Sequence, residues 1–215
     1  MSLPTPATIS CPRCRQPCQL TIWETVNATL HPELRQRVLD NTIHAITCPK
    51  CKQELNVTAD ILYHDMDRKF LISLVQAERP KAFVLPDSLL KAIGKAMAHY
   101  RLRFVTSHSH LVEKIRIFEA DLSDFAIEAV KLFAWSNKFR EKRITNDSMY
   151  FCEVQNEASA NPSFLFELYD NGKPLAQMNV PVSMYSAAVA QLGDKLRSYR
   201  LGEWIIVNQS SLPTL

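Results

Sequence analysis

Six cysteines carry the most readable chemistry in this chain of 215 residues: Cys11, Cys14, Cys18, Cys48, Cys51 and Cys152. Four of them form two matched pairs, Cys11-Pro12-Arg13-Cys14 and Cys48-Pro49-Lys50-Cys51, with 33 residues between the pairs. Two residues between thiolates let a tight knuckle turn both sulfurs toward one ion, and two knuckles complete a tetrahedron. A proline in each knuckle stiffens the turn and reduces the freedom lost on folding. The spacing predicts a single structural Zn²⁺ on Cys11, Cys14, Cys48 and Cys51. A catalytic zinc keeps an open position and usually takes His or carboxylate ligands, whereas four thiolates close the site. Cys18 is the nearby competitor for the place of Cys14, although the symmetry of the two knuckles argues against it. Two disulfides are the alternative in an oxidising compartment. A redox Cys-x-x-Cys would have to arise twice without a thioredoxin-like βαβ context.

Other residue types invite weaker chemistry. His64 and Asp65 are a candidate acid/base or ligand-binding pair. The bland alternative is a buried histidine with Asp65 capping the next turn, and adjacent strand residues point to opposite faces. His108 and His110 could join His64 around a second metal, but His-x-His without a nearby carboxylate reads more simply as a polar helix entrance. Cys152, among Met149, Tyr150 and Phe151, reads as a core thiol rather than an activated nucleophile. The basic stretch at 138–143 (Lys138, Arg140, Lys142 and Arg143), with Trp135 and Phe139, mixes cations with aromatics as single-strand binders do. A solvated helix end or linker explains it better. The four glycines form no phosphate-cradling loop, and no Gly-x-Ser-x-Gly elbow occurs. No residue is assigned a catalytic or cofactor-binding role.

The elements that must position these groups alternate between strand and helix. Residues 1–8 are Pro-rich and read as frayed. Gln19–Val26 favours a strand. A short helix is expected from Pro32 to about Asp40, with Pro32 at a position that needs no N–H and Glu33 beside the positive helix end. Thr42–Thr47 then reads as a strand delivering the second knuckle, followed by strands Glu54–Tyr63 and Lys69–Gln76. A helix capped by Asp87, with Leu89, Leu90, Ile93, Met97 and Tyr100 at helical spacing, precedes a strand at Leu102–Thr106. Two amphipathic helices follow: His110–Glu119, and Leu122–Trp135 capped by Asp121. Strands Met149–Glu153, Phe164–Tyr169 and Leu175–Val180 come next, the last two joined through Asn171-Gly172. A helix at Val182–Leu192 and a strand at Glu203–Asn208 close the chain. No repeat is evident beyond the two knuckles.

Composition sets the outer limits. The content is 47% hydrophobic and 22% charged, that of an ordinary globular protein. The apolar stretch Phe125–Trp135 is broken by Glu128 and Lys131, and the N-terminus lacks the basic start and apolar core of a secretion signal. A soluble cytoplasmic protein is expected. Residues 1–66 contain six Lys/Arg and six Asp/Glu. Zinc on four thiolates would add about two negative charges, so this segment lacks the basic footprint that phosphates require.

The two Cys-Pro-x-Cys knuckles, Leu62-Tyr63-His64-Asp65, and Leu111-Val112-Glu113-Lys114-Ile115 followed by Asp124 resemble the CpXC domain family. The resemblance covers about residues 8–136 and implies a metal-binding prokaryotic module of unestablished biochemical role, with no catalytic assignment. Together these readings predict an α+β protein: a zinc-ribbon-like unit at about 8–66 with an inserted helix, packed on a mixed helix/strand body. Residues 144–215 form a C-terminal α+β segment. The expected function is that of a zinc-stabilised binding or adaptor protein with a protein partner or self-association. A nucleic-acid-associated zinc protein and a small-molecule enzyme using His64 and Asp65 are the alternatives.

Overall fold

The computed structural model describes residues 2–75, 95–138, 148–155, 158, 161–170, 172–197 and 201–212. The described chain is a mixed α+β protein with three sheets. It divides into two compact units, Met1–Val112 with Leu201–Trp204, and Glu113–Arg200 with Ile205–Leu215. The expected helix capped by Asp87 and most of the basic stretch at 138–143 lie outside the described residues.

The first unit is built on a sheet whose order is β1 (Leu3–Ser10), β2 (Pro17–Asn27), β5 (Ile61–Asp65), β6 (Phe70–Leu74), β7 (Arg101–Val105) and β11 (Trp204–Ile205). Strand β1 corrects the expectation of a frayed start: Pro4 and Pro6 sit within it, opposite Trp23 and Thr21 of β2. It is an edge strand, the place where a missing N–H is tolerated and where proline blunts further pairing. Strands β2 and β5 pair in parallel, setting Asn27 beside His64, while β5 and β6 form an antiparallel hairpin. The core holds Val26, Ile61, Tyr63, Phe70, Ile72, Leu74 and Leu102, with Tyr63 stacked on Phe70 at 5.9 Å. Helix α1 (Pro32–Leu39) starts at proline as expected and buries Leu34 and Val38.

Between the two halves of the site the chain departs from expectation in detail. The second knuckle is carried by a two-stranded hairpin of only three residues a side, β3 (Ala45–Thr47) and β4 (Glu54–Asn56). Residues 42–44 form a turn instead of the start of a strand. Glu54–Tyr63 is two strands, not one, because Val57–Asp60 leaves the hairpin before β5 begins. Side-chain bonds hold these connections. The Arg37 guanidinium donates to the Ile43 carbonyl (2.9 Å), and Asn56 Nδ2 donates to the Asn41 carbonyl (2.8 Å).

The boundary between units falls within helix α2 (His108–Glu119), and the second unit continues with α3 (Asp124–Lys138). Ser123, not Asp121, receives the first-turn amide of α3: Ala126 N–H donates to Ser123 Oγ at 3.4 Å. Asp121 instead occupies the left-handed turn between the helices, with φ 54°. Helix α3 is buried on every side from Asp124 to Lys131, unlike the amphipathic helix expected. An antiparallel sheet follows, ordered β10 (Lys173–Pro181), β9 (Ser163–Asp170), β8 (Met149–Gln155). Its inner face gathers Phe151, Phe164 and Phe166, with the Phe151 ring edge-on to the other two at 5.5 and 5.8 Å. Helix α4 (Val182–Arg197) is broken at Gly193, whose φ of 46° is a conformation open to glycine, so its first segment stops where expected.

Candidate metal centre

Each cysteine pair lies at the tip of a β-hairpin, the first between β1 and β2 and the second between β3 and β4. The two tips are built alike. Arg15 N–H donates to the Cys11 carbonyl at 2.8 Å, and Lys52 N–H to the Cys48 carbonyl at 3.0 Å. Cys11 N–H closes its hairpin on the Gln16 carbonyl and Cys48 N–H on the Gln53 carbonyl, both at 2.9 Å. Arg15 and Lys52 both take left-handed backbone, each with φ 59°. The match extends behind the sulfurs, where Ile9 pairs across strands with Cys18 and Ile46 with Leu55. The sequence repeat is therefore longer than the knuckles: Ile9-Ser-Cys-Pro-Arg-Cys-Arg-Gln16 against Ile46-Thr-Cys-Pro-Lys-Cys-Lys-Gln53. The repeat thus spans eight residues in each copy, four more than the Cys-Pro-x-Cys knuckle.

The hairpins bring Cys11, Cys14, Cys48 and Cys51 together, with all four Sγ atoms within 4.8 Å of one another. Two contacts cross between knuckles, Cys11 to Cys51 and Cys14 to Cys48, each 3.6 Å. All six cysteines of the chain are free thiols. Zn–S bonds of about 2.3 Å in a tetrahedron place sulfurs about 3.8 Å apart. The donor set and its spacing fit such an ion. The first cysteine of each knuckle is buried and the second half-buried.

Electrostatics differ between the two positions in a knuckle. The Cys14 amide, opposed by burial and helped by the Arg13 amide, lowers the Cys11 thiol below its ordinary value. The Cys51 amide, opposed by burial and helped by the Lys50 amide, pulls Cys48 down to about 6. Cys14 has one helpful amide, from Gln16, but burial and the facing sulfurs of Cys51, Cys48 and Cys11 push it up to about 12. Four thiolates so close together repel one another, and a divalent cation removes that penalty. Arg13, Arg15, Lys50 and Lys52 place four cationic residues in the turns to offset the remaining charge.

Cys18 does not belong to the four-sulfur group, but it is 1% exposed and packs with Cys11 and Cys48. Its thiol donates to the Gln16 carbonyl at 3.4 Å. Burial and the neighbouring Cys48 sulfur hold it above its ordinary value, as a protonated thiol.

The CpXC protein family model matches residues 9–131, more than half of the chain. The chain belongs to the CpXC family. No curated protein and no solved structure matches it. The matched span contains both knuckles, the hairpin of β5 and β6, and most of the helix pair α2 and α3.

The other candidates are dispersed by the CpXC fold. Asp65 accepts Arg68 N–H at 2.8 Å and the Arg68 guanidinium at 3.2 Å, so it caps the β5–β6 turn. His64 lies on the opposite face, tilted against Tyr100 at 5.5 Å, and its Nε2 is buried without a hydrogen-bond partner. A groove of about 580 Å³ opens beside the knuckles, lined by Ile9, Pro12, Arg13 and Gln53–Val57, and neither His64 nor Asp65 borders it. His110 Nδ1 meets Ser107 Oγ at 2.8 Å, while burial keeps His108 below its ordinary pKa. Burial and the Glu167 carboxylate push Cys152 up to about 12, the reverse of an activated thiol.

Two groups escaped sequence reading. His44 accepts the Trp23 N–H on Nε2 at 2.9 Å and so ties the turn before β3 to β2. A lone histidine beside a strand carries no spacing signal. The second group is a buried ion network in the second unit. Lys131 Nζ lies 3.2 Å from both Glu113 and Glu128, and Lys114 Nζ lies 3.2 Å from Glu128 and 3.6 Å from Asp124. Glu113 also accepts the Phe151 N–H of edge strand β8 at 2.8 Å. Glu113, Lys114 and Asp124 are among the residues that carried the family resemblance.

Proposed function

We propose that this CpXC chain is a zinc-stabilised cytoplasmic binding protein, in which one Zn²⁺ on Cys11, Cys14, Cys48 and Cys51 fastens a zinc-ribbon-like pair of hairpins. The observation that carries the reading is the convergence of four thiols from two backbone-matched knuckles. Zinc supplies a crosslink there, not an open coordination position, so the role is structural. A protein partner, including a second copy of this chain, is supported by exposed Leu30 and Met66, which lie on loops joined where Met66 N–H donates to Thr29 Oγ1 at 2.9 Å. Among the described residues no helix is long and apolar enough to cross a membrane.

The test is metal content of the purified full chain, with thermal unfolding before and after chelation. One zinc per chain and a large loss of stability on chelation are expected, since ligand bonds made only in the folded state are folding free energy. A Cys14→Ala/Cys51→Ala variant, missing one thiol from each knuckle, should not hold zinc stoichiometrically. A wild-type chain without metal, or a double variant that keeps it, sinks the reading.

A further inference from the structure

The groove of about 580 Å³ beside the knuckles touches five consecutive residues, Gln53 to Val57, besides Ile9, Pro12 and Arg13. Alternate side chains of a strand point to opposite faces, so a groove that meets every residue of a run lies along the strand's edge. The edge is that of β4, whose other side holds β3. Cys48 N–H donates to the Gln53 carbonyl at 2.9 Å and Val57 N–H to the His44 carbonyl at 3.2 Å. Residues 53, 55 and 57 therefore turn their backbone groups toward β3, and Glu54 and Asn56 turn theirs away. Among the described residues neither the Glu54 nor the Asn56 N–H has a hydrogen-bond partner, and the Glu54 carbonyl takes only Gln53 Nε2. Edge strands β1 and β10 carry prolines that blunt such pairing, Pro4 and Pro6 in one, Pro174 and Pro181 in the other. Strand β4 has none.

Resting on the binding role proposed above, we propose that this groove receives an extended, acidic segment of a partner protein, which adds to β4 as a third strand. The outward donors of Glu54 and Asn56 supply backbone pairing, and Ile9, Pro12, Leu55 and Val57 take alternate apolar side chains. Charge selects an acidic partner. Arg13, Arg15, Lys50 and Lys52 are exposed in the adjoining turns, and among the described residues none of the four has an ion-pair partner. Together they outweigh the single Glu54 carboxylate of the groove and the charge of about −2 that zinc on four thiolates carries. No aromatic ring lines the groove, so nucleic-acid bases have nothing there to stack on. A second copy of this chain, with its own net charge of +3, is a poorer complement.

The experiment titrates the purified full chain, its zinc content measured, into a short fluorescent peptide alternating aspartate and valine, read by anisotropy. Three control probes are the same peptide N-methylated throughout, a lysine–valine peptide of equal length, and an oligothymidylate. The aspartate–valine peptide should bind, and each control should bind at least about tenfold more weakly. Glu54→Pro removes one outward N–H at an edge position where proline is tolerated, and should cost about tenfold in affinity. Glu54→Gln keeps that N–H and should bind at least as tightly as wild type, whereas Arg13→Glu should bind more weakly. The N-methylated probe tests the edge on the wild-type chain, so the proposal stays falsifiable if Glu54→Pro folds poorly. Equal affinity for the N-methylated peptide, no binding of the aspartate–valine peptide, or preference for the oligothymidylate would overturn the proposal. So would a wild-type dimer that Glu54→Pro converts to monomer, which would make a second copy the occupant. A chain that carries one zinc yet ignores the peptide overturns the groove alone; a chain without zinc overturns the metal reading, and the titration still reads the groove.

Discussion

Replacing Lys131 by methionine removes a buried charge with little change of shape, and its cost can be worked from the contacts. Lys131 Nζ lies 3.2 and 3.3 Å from the two Glu113 oxygens and 3.2 Å from Glu128. All three side chains are almost wholly buried. In the variant Glu113 keeps only the Phe151 amide among these partners, and Glu128 keeps Lys114. Breaking a buried pair costs about 3–5 kcal/mol, because the remaining charge has no water to turn to. Lys131 serves two carboxylates, so the upper part of that range is expected. The pH dependence follows with its sign. Burial alone would raise the Glu128 pKa, but Lys114 and Lys131 hold it below the ordinary value. Its contribution is present above the unfolded glutamate pKa and is lost as pH falls through the folded one. Burial alone would lower Lys131, but Glu113 and Glu128 raise it, so its contribution is present below the unfolded lysine pKa and lost as pH rises through the folded one. Wild type should therefore be most stable on a plateau around neutral pH. In Lys131→Met, Glu128 loses one of the two cations that hold its pKa down, so less stability should be lost as pH falls from 7 toward 5. Urea unfolding followed by circular dichroism at several pH values measures both effects. A loss under about 1 kcal/mol at pH 7, or an acid limb unchanged from wild type, would refute the argument.

Two further substitutions test how the knuckles are held. Lys52 has φ 59°, where a β-branched side chain is strained, so Lys52→Ile should lower zinc-loaded stability by about 1–2 kcal/mol while Lys52→Gly does not; equal melting temperatures for the two would show that the turn is not required. His44→Leu leaves the Trp23 N–H without its acceptor and should cost about 1–3 kcal/mol by chemical denaturation. Burial lowers the His44 pKa, so the unfolded chain binds its proton first: the histidine's contribution is present above the unfolded value of about 6.5 and lost as pH falls through the folded one. A wild-type acid limb that survives unchanged in His44→Leu would assign that limb to other groups.

The four-cysteine cluster was legible because its information is local: two Cys-Pro-x-Cys turns specify sulfur direction within four residues each. Helix α1 was legible for the same reason, from Pro32 and Glu33. What failed depended on distant partners. Pro4 and Pro6 look like a frayed terminus until β2 supplies a partner and an edge. Glu113, Lys114, Glu128 and Lys131 look like the wet face of two helices, since charges three and four apart read alike whether water or another helix faces them. Only their mutual contacts separate the cases. The expected strand stopped at Tyr63, whereas β5 runs on to Asp65, and its period of two is what sets His64 and Asp65 on opposite faces.

A reason for a metal at the four cysteines lies in what the second hairpin lacks. Strands β3 and β4 have three residues each, and two-stranded hairpins are marginal in water even when longer. Their half-buried apolar side chains, Ile46 and Leu55, rest mainly on the cysteine core itself. Other bonds from this hairpin and the turn before it reach nearby loops and β2: Asn56 to Asn41, His44 to Trp23, and the Ile43 carbonyl to Arg37. A neutral hydrogen bond contributes about 0.5–1.5 kcal/mol net, too little in sum to order some dozen residues at about 1–2 kcal/mol of backbone entropy each. The first hairpin has no such need, for β2 continues into the main sheet through β5. An ion held by the four thiols, as proposed, would fasten the weak hairpin to the strong one. On its loss, β3 and β4 should open first, with amide exchange rising at Ile46 and Leu55 before it rises at Val26 or Tyr63.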